Sequence, residues 1–139
     1  MRHDSLTECI IGAAMEVHRE LGPGLLESAY CRCLMHELAI RGIAFRSEIP
    51  FPLVYKELHL EYGYRADLLV EERVFVEVKA VEALTPVHEA QVLTYLRLSG
   101  RDTGLLINFN VLLLKQGVRR LVLNRKESNA ESKEMVEDR

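Results

Sequence analysis

The chain has 139 residues, 48% of them hydrophobic, which is enough for one domain with a substantial core. Its formal net charge of −3 argues against a protein that holds nucleic acid by bulk positive charge alone. No apolar run approaches the roughly 20 residues that span a bilayer, and the first residues are too polar for a signal peptide. The cysteines Cys9, Cys31 and Cys33 form no even framework, so we expect free thiols and a cytoplasmic protein without a membrane partner.

Two helices are predicted at the start of the chain. Ser5-Leu6-Thr7-Glu8 fits a capping box, and the apolar residues after it keep helical spacing as far as Gly22-Pro23-Gly24. The same periodicity predicts a second helix from about Leu25 to Arg41, with a glycine directly after it.

Strands are predicted in the middle of the chain. Short β segments are expected at 43–45, 53–55 and 58–62, and Pro50 and Pro52 are typical of an edge strand. Two further strands are expected at 64–70 and 74–79, on either side of the polar turn Glu71-Glu72-Arg73.

The last predicted elements are one helix and two strands. Thr85-Pro86 is typical of an N-cap and a first helical residue, and the helix runs to about Ser99. Strands are predicted at 104–108 and 118–123. Residues 1–124 therefore form a single α/β domain, and the charged tail 125–139 is expected to be disordered because it has little apolar content.

The most informative pattern lies in the strands 64–70 and 74–79. Glu77 and Lys79 are two residues apart, so their side chains lie on one face, and a hairpin in register could bring Asp67 alongside Glu77. Carboxylate oxygens suit magnesium, manganese or calcium better than zinc. The residues alone leave open the alternative of an ordinary solvated sheet face.

Further polar residues lie on the predicted helices. Glu27 is near the start of the second helix, where the helix dipole favours a carboxylate, and it could also be a third oxygen ligand. His88, Gln91 and Tyr95 share one face of the third helix. That face is either an ordinary polar stripe or a row that hydrogen-bonds phosphate and sugar oxygens.

In this order, the motifs resemble the PD-(D/E)XK nuclease superfamily, and most of all the branch with the exonuclease domains of helicase–nuclease complexes. More narrowly, Gly24-Leu25-Leu26-Glu27-Ser28-Ala29-Tyr30 matches the signature of the small GxxExxY family. The resemblance extends over about residues 5–123. It also rests on five other segments, which are His18-Arg19-Glu20-Leu21-Gly22-Pro23-Gly24, Tyr64-Arg65-Ala66-Asp67, Val76-Glu77-Val78-Lys79, His88-Glu89-Ala90-Gln91 and Gly104-Leu105-Leu106-Ile107-Asn108-Phe109.

The resemblance implies a restriction-endonuclease-like core, with a central mixed β-sheet flanked by helices in αβββαβ order after an extra N-terminal helix. It implies a Mg²⁺ (or Mn²⁺) cofactor held by Asp67 and Glu77, with the Val78 carbonyl as a third ligand. Glu27 would be an additional ligand, direct or through water.

The resemblance also implies the catalytic and substrate-binding roles. Asp67, Glu77 and Lys79 would be the catalytic residues, with Lys79 orienting or deprotonating the attacking water. Gln91 and Tyr95 would position the phosphate backbone of DNA or RNA.

Three functions follow from these patterns. The first is a metal-dependent nuclease that hydrolyses phosphodiester bonds of nucleic acid. The alternatives are a non-catalytic interaction module with the same fold, in a nucleic-acid-processing complex, and a metal-dependent hydrolase of a small phosphorylated molecule. The oligomeric state is open, although a minimal nuclease domain often needs a second copy, as in a homodimer, to span a duplex.

Overall fold

The computed structural model describes residues 4–124 and 135–138 of the chain. Its helices are α1 (Asp4–Leu21), α2 (Glu27–Ile40) and α3 (Pro86–Ser99), with a short 3₁₀ helix at Leu114–Gly117. Its strands are β1 (Phe45–Tyr55), β2 (Leu58–Val70), β3 (Val74–Lys79), β4 (Thr103–Asn108), β5 (Val118–Val122) and β6 (Met135–Asp138).

The strands form one mixed sheet in the order β1-β2-β3-β4-β5-β6. Neighbouring strands are antiparallel except for β3 and β4, which are parallel and joined through α3. A parallel connection of this kind needs a crossover, which the capped helix α3 supplies. This architecture confirms the predicted α/β fold of a mixed sheet flanked by helices.

Helices cover both faces of the sheet. On one face, α1 and α2 contribute buried residues such as Ile10 and Leu34 to a core that includes Val76 of β3. On the other face, α3 contributes Val92 to a core that includes Phe75. Val76 and Phe75 are adjacent in β3, so the central strand is buried on both sides, as its continuous apolar sequence requires.

The strands β1 and β2 form a hairpin longer than the sequence predicted. The predicted segments 58–62 and 64–70 belong to one strand, because Gly63 lets the chain continue where the two strands approach closely. A Cβ atom on Gly63 would lie 2.6 Å from Cβ of Leu53, and the register shifts between Phe51 and Leu53. Glycine is common beside a register shift, because it has no side chain and allows two strands to approach closely.

The C-terminal tail differs from the prediction at one point. Residues 125–134 and 139 lie outside the described residues, so the disorder of this part of the tail stays a prediction. Met135–Asp138, for which disorder was also predicted, lie in β6, because their backbone pairs with β5 in antiparallel register.

We predict that Gly104→Ala destabilises the fold by about 1–3 kcal/mol, because the added methyl group would overpack the contact between α3 and β4. The new Cβ would lie 2.5 Å from Cγ1 of Val92. The measurement is the free energy of unfolding in urea.

Gly12→Ala is the matched control for this substitution. Its Cβ would lie 3.4 Å from the terminal Nη1 atom of Arg41, which is the movable end of a long side chain. Since alanine is favoured over glycine inside a helix, we expect an unchanged or slightly raised stability. Equal losses in both variants would contradict the packing argument.

Candidate active site

Two carboxylates join β2 and β3 at the point where their regular pairing ends. The antiparallel pairing of β2 with β3 begins at the pair Val70 and Val74 and ends at the pair Leu68 and Val76. At the next position the Val78 N–H donates to Oδ2 of Asp67 at 2.7 Å, and the Asp67 N–H donates to Oε1 of Glu77 at 3.3 Å. The two carboxylates therefore take the place of carbonyl acceptors in the ladder, which brings them together as the sequence predicted.

An irregularity in β1 and β2 accompanies this arrangement. Glu48 has a φ of 53°, in the left-handed region that is uncommon for a residue other than glycine. It lies between the pairs Ser47↔Leu68 and Ile49↔Ala66, at the level of Asp67. Ala66 packs in the core beneath α3 whereas Leu68 packs in the core beneath α1 and α2, so the alternation of faces breaks at Asp67.

Burial changes the acid–base properties of both carboxyl groups. Glu77 is only 5% exposed. Its desolvation, together with the negative charge of Asp67, raises the pKa of Glu77 to about 7, although Lys79 acts in the opposite direction. Desolvation also raises the pKa of Asp67, against the effect of the Val78 N–H bond. The protein therefore holds at this point two carboxyl groups that are reluctant to be charged together.

Lys79 lies beside Glu77, on the predicted face of β3. Its Nζ is 3.5 Å from Oε2 of Glu77, and the lysine side chain is 13% exposed. Removing two charged groups from water costs free energy that can exceed their mutual attraction. This ion pair therefore orients Lys79 and Glu77 more than it stabilises the fold.

The Val78 carbonyl of β3 faces β2, on the side of the strand where Asp67 lies. The Phe109 N–H donates to the Lys79 carbonyl at 2.9 Å, so the polar backbone groups of Lys79 face β4. Successive residues of a strand alternate, so the carbonyl of Val78 faces β2, on the same side as its N–H group, which donates to Asp67.

These donors fit a hard divalent cation. The exchange of hydrogen bonds uses Oδ2 of Asp67 and Oε1 of Glu77. The second oxygens are Oδ1 of Asp67 and Oε2 of Glu77, and the latter also lies 3.5 Å from Lys79. Together with the Val78 carbonyl they are the oxygen-only set that Mg²⁺ or Mn²⁺ prefers. Among residues 4–124 and 135–138, no group of three or more His, Cys, Asp or Glu side chains is close enough together to hold a metal ion. The predicted three-carboxylate set that includes Glu27 is therefore not assembled.

Glu27 faces Asp67 across a cleft. The cleft has a volume of about 350 Å³, and Glu27, Arg32, Cys31, Glu48 and Asp67 are among its lining residues. Glu27 is exposed, yet its negative charge contributes to the raised pKa of Asp67. The pKa of the Cys31 thiol is raised to about 12, by burial first and then by the charges of Asp67 and Glu77.

A tyrosine clamp fixes the turn that leads to Glu27. The hydroxyl of Tyr30 donates to the Gly22 carbonyl at 2.5 Å and accepts from the Leu25 N–H at 3.1 Å. Gly24 has a φ of 101°, which a residue with a side chain adopts only under strain. The spacing of glycine, glutamate and tyrosine in this segment therefore has a structural cause, since it sets the start of α2 at the cleft.

Of the residues predicted to share one face of α3, Tyr95 lies in the core and Gln91 at the surface. Tyr95 is buried and stacks on Phe51 at a centroid distance of 5.3 Å. Its hydroxyl donates to the Arg65 carbonyl at 3.1 Å and also interacts with Glu77, and burial strongly raises the pKa of the phenol. Gln91 is exposed one turn earlier. The hydroxyl of Tyr95 therefore lies near Glu77, on the face of the sheet that α3 covers.

Both histidines near these motifs have local structural roles. His88 completes the capping box of α3, in which its Nδ1 accepts from the Thr85 N–H at 3.0 Å. His18 is buried, with Nε2 2.8 Å from the Val111 carbonyl oxygen.

Sequence reasoning missed Asn108 at the end of β4. This buried side chain accepts from the Val81 and Asn110 N–H groups and donates to the Val81 carbonyl, at 3.0–3.1 Å. It therefore fixes the loop that follows Lys79. The available signal was a single amide side chain at the carboxyl end of an otherwise apolar strand.

We predict that the stability of the metal-free protein falls between pH 4.5 and about 7 because of Glu77. Its pKa is 4.5 in a model peptide and about 7 in the fold, so the folded state binds the proton more tightly. The stabilisation is complete below pH 4.5 and is lost as the pH rises through 7.

Glu77→Gln should remove this dependence and be more stable than the wild type at pH 8, by on the order of 2 kcal/mol. Urea unfolding in the presence of a chelator measures it, and Glu61→Gln on the exposed part of β2 is the control. Parallel profiles for wild type and Glu77→Gln would contradict the prediction.

Comparison with known proteins agrees with this geometry. The sequence profile of the PD-(D/E)XK nuclease superfamily matches residues 4–121, which include every element from α1 to most of β5. No curated protein and no solved structure is significantly similar to the chain. Within the described residues, no helix is both long enough and apolar enough to cross a membrane. The chain belongs to the PD-(D/E)XK nuclease superfamily.

Proposed function

We propose that this protein is a divalent-metal-dependent nuclease that hydrolyses phosphodiester bonds of nucleic acid. The observation that carries the proposal is the exchange of hydrogen bonds between Asp67 and Glu77, with the ammonium of Lys79 3.5 Å from Glu77. Membership of a nuclease superfamily supports the same function at a coarser level.

Each residue has a specific role in this proposal. Asp67, Glu77 and the Val78 carbonyl would hold Mg²⁺ or Mn²⁺, and the outlying Glu27 would act on the ion only through water. Such an ion, when bound, lowers the pKa of a water molecule and neutralises charge on the phosphoryl oxygens. Lys79 would orient or deprotonate the attacking water.

The substrate-facing and positioning roles fall to different residues of α3. Gln91 is exposed and can donate to phosphate or sugar oxygens. Tyr95 is buried against Glu77, so we assign it to positioning that carboxylate rather than to contact with the substrate, which revises the role implied by resemblance.

We also infer that the chain belongs to the GxxExxY branch of the superfamily. In support, Gly24 takes the left-handed backbone conformation, Glu27 begins α2 at the cleft, and Tyr30 holds the turn between them. The three motif positions thus act together to present a carboxylate opposite Asp67.

An interaction module without catalytic activity is the second candidate. The net charge of −3 and the absence of a three-carboxylate group from residues 4–124 and 135–138 favour it over a processive nuclease. Such a module would keep the fold and bind a partner while leaving nucleic acid intact.

We expect Lys79→Met and Asp67→Asn each to lower phosphodiester cleavage at least about 100-fold, because both remove a group that acts on the attacking water or its metal ion. Both replacements keep the size of the side chain. Cleavage of single-stranded and double-stranded DNA and of RNA, each with Mg²⁺ and with Mn²⁺, measures the effect.

Two further variants make this test specific. Glu57→Gln, in the exposed β1–β2 turn, should cleave as the wild type does, and Gln91→Ala should raise KM more than it lowers kcat. Wild-type cleavage by Lys79→Met would refute the assignment. Hydrolysis of a small phosphate ester by a wild type that cleaves no polymer would favour the small-molecule alternative.

A further inference from the structure

The β1–β2 hairpin extends beyond the core as an arm, formed by residues 52–63. Every residue of this arm is exposed, whereas Phe51 is buried and Tyr64 half-buried at its base. The pairs Leu53↔Leu60, Val54↔His59 and Tyr55↔Leu58 give the register of its outer part. A segment of this size without a core needs another source of stability.

The two faces of the arm differ in polarity. Residues opposite each other in an antiparallel pair lie on the same face, and successive residues alternate. One face therefore carries Leu53, Leu60, Tyr55 and Leu58, which we call the apolar arm face. These four side chains are 41–61% exposed. Val54 and His59 lie on the opposite face.

The turn of the arm makes its own stability low. Lys56 and Glu57 both have positive φ angles, of 45° and 73°, in a two-residue connection that usually holds Asn-Gly. A two-stranded hairpin by itself is marginally stable in water. Packing of the apolar arm face against another surface would supply the stabilisation that the turn does not.

The charges of the arm indicate which kind of partner could pack against it. Lys56 is outnumbered by Glu57 and Glu61, so the arm has no net positive charge for a polyanion. The four side chains of the apolar arm face are uncharged, and the Lys56 ammonium lies beside them, 5.3 Å from the centroid of the Tyr55 ring. A second copy that packs on this face therefore leaves Lys56 at the rim of the interface, where charged groups remain in water. Proline has no N–H group, and Pro50 and Pro52 make β1 a poor edge for strand addition, which leaves packing through the face.

We propose that the apolar arm face packs against the same face of a second copy, as a two-fold symmetric homodimer. The four side chains expose on the order of 400 Å² per copy, and Tyr62 nearby is a further large exposed side chain. Two copies would then bury roughly 1,000 Å² in total, which is the low end for a specific interface. The dimer is therefore weak and concentration-dependent, and it does not depend on catalysis.

Sedimentation velocity over a range of concentrations tests this interface. Two substitutions to lysine are compared, at apolar residues of similar exposure on opposite faces of the arm. Leu58 is 56% exposed on the apolar arm face, and Val54 is 59% exposed on the opposite face. The wild type should pass from monomer to dimer with a Kd on the order of 10–100 μM. Leu58→Lys should raise this Kd at least about 10-fold, because it places a charge in the interface, while Val54→Lys should leave it within about two-fold.

Leu58→Thr gives a second substitution that keeps strand propensity, so a loss of association in it does not come from a lower strand propensity of the arm. Far-UV circular dichroism checks the fold of each variant. A wild type that stays monomeric throughout the concentration range would overturn the proposal. Equal effects of Leu58→Lys and Val54→Lys would also overturn it.

Discussion

Two carboxylates and two backbone N–H groups hold β2 and β3 together where their regular pairing ends. Asp67 accepts from Val78, and Glu77 accepts from Asp67, so each side chain takes the place of a carbonyl in the sheet. The exchange lets the strands separate without leaving these donors unpaired. It also brings two negative charges into a largely buried place, where each charge costs several kcal/mol in desolvation. The raised pKa values of both carboxyl groups are the consequence.

The surrounding elements support this one exchange. The crossover through α3 places Tyr95 next to Glu77, and Asn108 holds the loop after β3. The hydroxyl of Tyr30 fixes the turn that leads to the start of α2, across the cleft from Asp67. Each support comes from a different element, so the geometry of the site depends on the whole fold. A site that brings two carboxylates together would gain stability from any ligand that neutralises them.

Much of this arrangement followed from local sequence patterns. The alternation around Glu77 and Lys79 predicted their shared face, and Thr85-Pro86 predicted the start of α3, because both depend on residues close in sequence. The left-handed backbone of Glu48 and the burial of Tyr95 were not predictable in this way. The first depends on the pairing of β1 with β2, and the second on how α3 lies over the sheet. Gln91 and Tyr95 are near each other on the helix, yet the sheet covers only Tyr95. The cytoplasmic location stays a prediction.

The central claim is that Asp67 and Glu77 form a cation site, and calorimetric titration of the metal-free protein with Mg²⁺ and Mn²⁺ tests it most directly. The wild type should bind, and Asp67→Asn should bind at least about 10-fold more weakly, since it loses one of two charged ligands. Both proteins should have the same fold by circular dichroism. Equal binding by the two proteins, or no binding by the wild type, would contradict the claim.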